Sequence, residues 1–578
     1  MRSLRHDHPI LRRLISRGPE FAAGALGVFW FLVLGGGRTL RVTDLDWLAG
    51  DQRQHVLGWL FFRQSSWALP LGRVTGFAAP LGTTVAFTDS NPLLALPLRL
   101  VSGVLPGDFQ YIGPWLLVCF ALQGWAGARL ASIGSERPAY RLAGGAFLAL
   151  APVLAARHGH DTLCAHFLIL TALAVALGAA IERRSALRRM RVVIALASLV
   201  HPYLAVMTLA TGMAVVARLH REGALTRREA WRSAGGLVLV MALVMLPLGY
   251  FTSAPSHSWG FGLFSLDPTA FWNPMGWSRI LPTRPAAFGQ AEGFAYLGVG
   301  GIALLAVVAG SSAAAWRRGA RPPARLLPLA VVAGLLFVLA LSSVIRVSGR
   351  TWLDLRWLYA PVYPLMGPFR SSGRFVWVLY YGLLGGALAW LPGLLGGRVR
   401  VAALVVVIAA ALQAADLSGM AGRVFVPEAW RPDLARWSLA AGRYRQIQLI
   451  PPLVVGAGGA CLPEDVYRDL DAYAPFAYVA YSLRASINSG YLARASARRF
   501  EPVCLEQIRL ARAGLLDPAV IYVVQPREAA AFLATGAATC GRLEGSLVCV
   551  SARNADPFRD ALERTAAADS SIAPARSR

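Results

Sequence analysis

Apolar runs of 15 to 26 residues, separated by short arginine-bearing stretches, fill the chain from about residue 20 to residue 415. The runs at 21–36, 111–131, 142–156, 163–181, 235–252, 293–315, 326–344, 375–394 and 401–415 approach the roughly 20 apolar residues that a helix needs to cross a hydrocarbon core. Each is expected to be one crossing. The run at 192–217 carries His201-Pro202 at its middle, and proline breaks a helix. It is expected to be a hairpin of two short helices, for about eleven crossings in all. The run at 91–105 is short, contains Pro92 and Pro97, and is expected to lie along the membrane interface or to re-enter.

Past residue 416 the pattern changes. Residues 446–456 (QIQLIPPLVVG) and 520–525 (VIYVVQ) read as strands, and 464–484 and 527–535 as helices. The expected architecture is an all-α polytopic membrane bundle over 20–415, followed by a small α/β domain over 416–565. The Ala/Ser/Arg-rich end, 566–578, is expected to be disordered.

Composition agrees with this division: 56% of residues are hydrophobic, 15% are charged, and mean hydropathy is +0.50. All 57 basic residues are arginine, for a formal charge of +26. They cluster in the short loops between apolar runs, the positive-inside pattern, so the charge does not point to nucleic acid. The rule puts the arginine-rich residues 1–19 and ERRSALRRMR (182–191) in the cytoplasm. Loops 37–110, 157–162, 253–292 and 345–374, and the C-terminal domain, then lie on the extracytoplasmic side of the plasma membrane. The cysteines fit this placement. Cys119 and Cys164 fall in apolar helices, whereas Cys461, Cys504, Cys540 and Cys549 form an even set in the polar tail, which suggests disulfides in an oxidising compartment. CGRLEGSLVC reads as a hairpin with Cys540 and Cys549 across it.

In that register the unusual polar residues gather on one face. The stretch from Val42 to Pro92 carries Asp44, Asp46, Asp51, Asp89, His55 and Arg63 among tryptophans and phenylalanines. Arg157-His158-Gly-His160-Asp161, His201, and Arg370 and Arg374 of PFRSSGRF follow on the same side. Ionisable groups near membrane depth are functional candidates. Each has a plainer alternative. Asp44 and Asp46 can be solvated or capping groups, Asp51 can cap a helix starting at Gln52, His201 can be a turn residue, and Arg370 and Arg374 can reach for headgroups. Trp259, Trp272, Trp277, Phe261 and Phe271 read as an interfacial belt.

Three motifs carry a family resemblance: GDQRQHVLGWLFFR after the first helix, Pro152-x4-Arg157-x-Gly159-x-Asp161, and PFRSSGRF (368–375). Together they resemble the GT-C superfamily of integral-membrane glycosyltransferases, which use polyprenyl-phosphate sugars. GWLFFR, FTDSNPL and FRSSGRF also resemble an uncharacterised family of multi-pass bacterial membrane proteins near those enzymes. Histidines stand where the oligosaccharyltransferase branch has acidic neighbours, so the resemblance does not reach asparagine-linked transfer. It implies inverting transfer from a polyprenyl-phosphate-linked donor to a glycan, glycolipid or protein acceptor of the cell envelope. A loop carboxylate would be general base: Asp51, or Asp46 or Asp89 in its place. Arg370 and Arg374 would grip phosphate. His55, Arg63, Arg157, His158, His160, Asp161 and His201 would line the substrate, and His158, His160 and Asp161 could instead hold a divalent metal ion. A transporter or flippase of a lipid-linked precursor and a non-catalytic envelope scaffold are the alternatives. The concentration of ionisable groups at one face and the lack of an internal repeat favour the enzyme.

Overall fold

The computed structural model describes residues 16–178, 182–252, 260–321, 323–463 and 466–568. The first fifteen residues, Trp259 and the tail beyond 568 lie outside them. The chain divides into two compact units: Met1–Val42, Tyr111–Val244 and Trp259–Val426 form the first, and Thr43–Gln110, Met245–Ser258 and Pro427–Arg578 the second. The polar stretch assigned from sequence to the helical bundle thus groups with the C-terminal part.

The first unit is helical. Among the described residues, six helices are long and apolar enough to cross a membrane: Pro138–Ala156, Pro202–Arg221, Gly298–Arg317, Ala324–Leu341, Ser372–Leu394 and Val399–Met420. Gly18–Val33 and Asp161–Leu177 are apolar but shorter. The expected hairpin at 192–217 is two helices meeting at His201, but neither is short. Arg183–Val200 has 18 residues and Pro202–Arg221 has 20. The arginines of 183–191, read as a loop, form the opening turns of the first of these. Pro202 starts the second, at a position where a missing N–H costs nothing, and His201 caps it by accepting from the Tyr203 N–H at 3.2 Å.

Small residues let these helices approach closely. A Cβ on Gly124 would lie 2.1 Å from the Ala23 carbonyl oxygen, so Ile112–Ala131 packs on Gly18–Val33 nearly backbone to backbone. Pro152 breaks the ladder of the 138–156 span, and glutamines take up carbonyls near the break. Gln123 donates to the Leu148 oxygen and Gln413 to the Leu150 oxygen, each at 3.4 Å. Inside hydrocarbon such groups have no water to turn to.

The second unit holds a five-stranded sheet in the order Ala538–Leu543, Ser546–Ser551, Val520–Val524, Gln446–Ile450, Ser486–Ile487. Gln446–Ile450 runs parallel to both its neighbours, and the other pairings are antiparallel. Cys540 sits opposite Cys549 in the hairpin, and the two form a disulfide. Glu544 and Gly545 both have positive φ, as a two-residue type I′ turn requires. Cys461 and Cys504 form a second disulfide. The strand expected over 446–456 stops at Ile450, because Pro451 and Pro452 cannot donate to a ladder; Val454–Val455 pairs separately with Gly490–Tyr491. Of the helix expected at 464–484, Ala474–Ser482 is the regular part.

Candidate functional site

In the second unit, the polar stretch is organised by the helix Asp51–Gln64. Gly50 turns the chain at positive φ, and Asp51 becomes the first helical residue. It therefore sits in the first turn, where a negative charge is favoured by the helix dipole, and not at the cap. The FTDSNPL segment lies against this helix at Gly58. A Cβ there would lie 2.2 Å from Thr88 Oγ1 and 2.5 Å from Ser90 Oγ. Ser90 Oγ donates to the His55 carbonyl at 2.7 Å. This contact brings Asp89 to His55, with a ring nitrogen and a carboxylate oxygen within 4.8 Å. Asp89 holds a φ of 52°, a left-handed backbone that a side-chain-bearing residue adopts only at a cost.

Asp46 has a different role. Arg431 grips it with two bonds, Nε to Oδ1 at 2.8 Å and a terminal nitrogen to Oδ2 at 2.9 Å. The same guanidinium reaches Asp108 at 3.1 Å, and the Tyr478 hydroxyl donates to Asp108 at 3.0 Å. A carboxylate held this way anchors the polar stretch to the C-terminal part of its unit and is poorly placed to accept a proton. Asp44 is a turn former and accepts from the Asp46 N–H at 3.1 Å. Arg63 donates to four backbone carbonyls, at Ser102, Leu105, Pro106 and Gly107, and is a structural brace.

Sequence reading missed the groups around Arg53. This arginine pairs with Glu428 at 3.0 Å and Asp471 at 3.7 Å, and lies over the Trp430 ring. Burial pushes the Asp471 carboxyl up to about 6. Arg53 opposes that rise, while Asp469, Asp51 and Glu428 add to it. Asp51 thus lies within electrostatic reach of a carboxyl that holds its proton into the mildly acidic range.

In the first unit the arginines converge. Arg157 and Arg374 both bond one oxygen of Glu292, at 2.9 and 2.7 Å, and both guanidiniums are nearly buried. Arg157 also donates to the Ala291 carbonyl and lies over the Trp377 ring; Arg374 lies 4.9 Å above the Tyr203 ring. Burial alone would raise the Glu292 carboxyl, but Arg374 and Arg157, with Arg370 beyond them, hold it down at about 2. Two guanidiniums thus bond one carboxylate oxygen, and a third acts on it electrostatically. Glu292 has no motif around it in the sequence. Its weight comes entirely from Arg157 and Arg374, distant in the chain.

The histidines fall around this cluster. His201 stacks on Tyr203 at 5.5 Å and meets the His160 ring at 5.4 Å. His160 Nδ1 lies 3.3 Å from the Thr162 hydroxyl. Trp115 Nε1 donates to the Asp161 carbonyl at 3.0 Å. His158 turns away: its Nδ1 bonds the Ala155 carbonyl at 3.0 Å, its ring faces Phe425, and burial pushes its pKa down. Among the described residues, His158, His160 and Asp161 do not form a metal-sized group, contrary to the expected alternative.

The family match is to two models. One, described as a domain of unknown function, DUF6311, matches residues 24–418, and the DUF6311 C-terminal domain matches 436–551. No curated protein matches the chain. Among solved structures, it is similar to ArnT from Cupriavidus metallidurans bound to undecaprenyl phosphate, with a TM-score of 0.45 and 17% identity, over 92% of this chain and 99% of that one. The apo form of the same protein gives 0.43 and 14%, over 90% and 97%. The chain belongs to the DUF6311 family.

Proposed function

We propose that this DUF6311 chain is a multi-pass membrane glycosyltransferase that moves a sugar from a polyprenyl-phosphate donor to a cell-envelope acceptor on the extracytoplasmic face. The observation that carries the reading is the Arg157–Glu292–Arg374 cluster, with Arg370 in electrostatic reach: two nearly buried guanidiniums converging on one carboxylate oxygen, in a unit built of membrane-length helices. The phosphate of such a donor, singly charged as the diester and doubly charged once the sugar has left, fits such a site, because guanidinium matches phosphate oxygens and a low-dielectric site strengthens the attraction. As the bond from the anomeric carbon to phosphate breaks, its electron pair and charge pass to the phosphate oxygen that these arginines would stabilise.

Asp51 is the proposed general base, taking the acceptor hydroxyl proton as the acceptor oxygen attacks with inversion. It is half-buried and sits at a helix start, whereas Asp46 is committed to Arg431. Asp89, beside His55, is the second candidate. The test is Asp51→Asn in cells, with protein level verified and envelope glycans and lipid-linked sugar pools measured together. Loss of one sugar from a glycan with accumulation of its lipid-linked donor on the outer face supports the reading. Accumulation on the cytoplasmic face points to a flippase. Unchanged pools in Asp51→Asn and Asp89→Asn alike would sink the transferase reading.

A further inference from the structure

The second unit carries an apolar surface that its fold does not explain. Trp67 and Leu69 on one segment, and Leu100, Val101 and Val104 on another, are 48, 75, 75, 48 and 86% exposed. Arginine bonds tie the two segments together. Arg99 reaches from the Pro92–Leu100 helix to the Ser65 carbonyl at 2.7 Å and the Ser102 hydroxyl at 3.0 Å, and lies over the Trp67 ring at 5.8 Å. Arg63, from the Asp51–Gln64 helix, donates to the carbonyls of Ser102 and Leu105, each at 3.0 Å, Pro106 at 2.7 Å and Gly107 at 2.6 Å. The result is a wedge with an aliphatic crest and a base of arginine.

The hydrogen bonding of that wedge identifies the surroundings it is built for. In water, carbonyls at an exposed turn need no internal donor, since solvent supplies one at little cost. Here two arginines are committed to carbonyls and a hydroxyl at the foot of the crest. That is what a backbone requires where water is scarce, because an unsatisfied carbonyl in hydrocarbon costs several kcal/mol. The aromatic and charged residues fit the same place. Tryptophan concentrates at membrane interfaces, and arginine stems lie along apolar surface while their charge stays at headgroup depth. Residues 62–72 and 92–107 hold Arg63 and Arg99 and no carboxylate, complementary to lipid phosphates.

We infer that this wedge is a membrane-docking surface, seated in the headgroup–acyl boundary of a phospholipid bilayer with its crest about 5–10 Å deep. The inference stands apart from the transferase reading, since it concerns how the second unit meets lipid and not what the chain transfers.

The test places a spin label at Leu69→Cys and at Val104→Cys in the full chain, reconstituted in phosphatidylcholine–phosphatidylglycerol nanodiscs. Both positions are exposed, so the labels should leave folding intact. Collision with oxygen, which partitions into lipid, is compared with collision with a water-soluble nickel chelate. An oxygen-to-nickel ratio several-fold above that of a label at Arg445→Cys, on an exposed position of the same unit, supports the inference. A ratio equal to that at Arg445 puts the wedge in water and overturns it. Low collision with both reagents means that protein covers the crest, a partner or a second copy, and overturns it equally.

Discussion

Asp471 offers a test in which a side chain that looks helpful is expected to harm stability. It forms an ion pair with Arg53, so its removal would ordinarily be judged destabilising. Its surroundings say otherwise. Burial, with Asp469, Asp51 and Glu428 nearby, raises its carboxyl from the ordinary 3.8 to about 6 despite Arg53. At about 1.4 kcal/mol per pH unit, holding the group ionised at neutral pH costs the folded state about 3 kcal/mol. The sign follows from proton binding. The folded state binds the proton more tightly than the unfolded chain, so the group's contribution is fully favourable below about pH 4 and is lost as pH rises through 6. Asp471→Asn keeps the shape of the neutral acid and removes the titration, while Arg53 retains Glu428. The expected result is a thermal midpoint raised at pH 7.5, by roughly 2–4 °C for each kcal/mol recovered in a unit of this size. Between pH 4 and 6 the midpoint of the variant should fall less than that of the parent. Thermal unfolding of the purified protein in detergent, scanned from pH 4 to 8, measures both. A lower midpoint at pH 7.5 with an unchanged slope would mean that the ion pair outweighs desolvation, and the argument fails.

Three further expectations follow from the packing. Glu292→Gln removes the carboxylate charge that two nearly buried guanidiniums share and should cost about 3–5 kcal/mol by thermal unfolding, with Glu292→Asp costing less. Gly58→Ala forces a Cβ into Thr88 and Ser90, so about 1–3 kcal/mol should be lost and any activity that depends on Asp89 beside His55 should fall with it. A fully stable, fully active Gly58→Ala would show that the FTDSNPL segment need not lie on the helix. Replacing Cys540 and Cys549 together by serine opens a loop of nine residues' separation and should lower stability by about 2.5 kcal/mol, read by denaturant unfolding under oxidising conditions.

Much of the architecture was legible because its signals are local. Apolar length located the helices, Pro92 and Pro97 marked a segment too short to cross, and the spacing of CGRLEGSLVC set its own hairpin. The sequence misleads where one local signal has two jobs. The arginines of 183–191 suggest a loop because charge marks membrane boundaries, yet arginine is a good helix former, so the helix continues through them. The 446–456 run suggests one strand on hydrophobicity, although its two prolines remove the donors a ladder needs. The grouping of Thr43–Gln110 with the C-terminal part had no local signal at all. It depends on pairs such as Arg431 with Asp46, 385 positions apart.

The same distinction separates the site residues that were found from those that were missed. Motif reading picks out residues with chemically unusual neighbours in sequence, and so it selected Arg374, Arg157 and the histidines. It could not find Glu292, which lies in an ordinary Ala-Glu-Gly turn and matters only because two buried arginines converge on it. Nor could it single out Asp46, five residues before Asp51, as an anchor, since its clamp is Arg431, 385 positions away. For a buried charge the partner decides the role: a carboxylate clamped by guanidinium is an anchor, and one beside other carboxylates titrates. Partners of that kind are set by the tertiary fold, so an acidic residue's function in this chain is readable only once its counter-charge has been located.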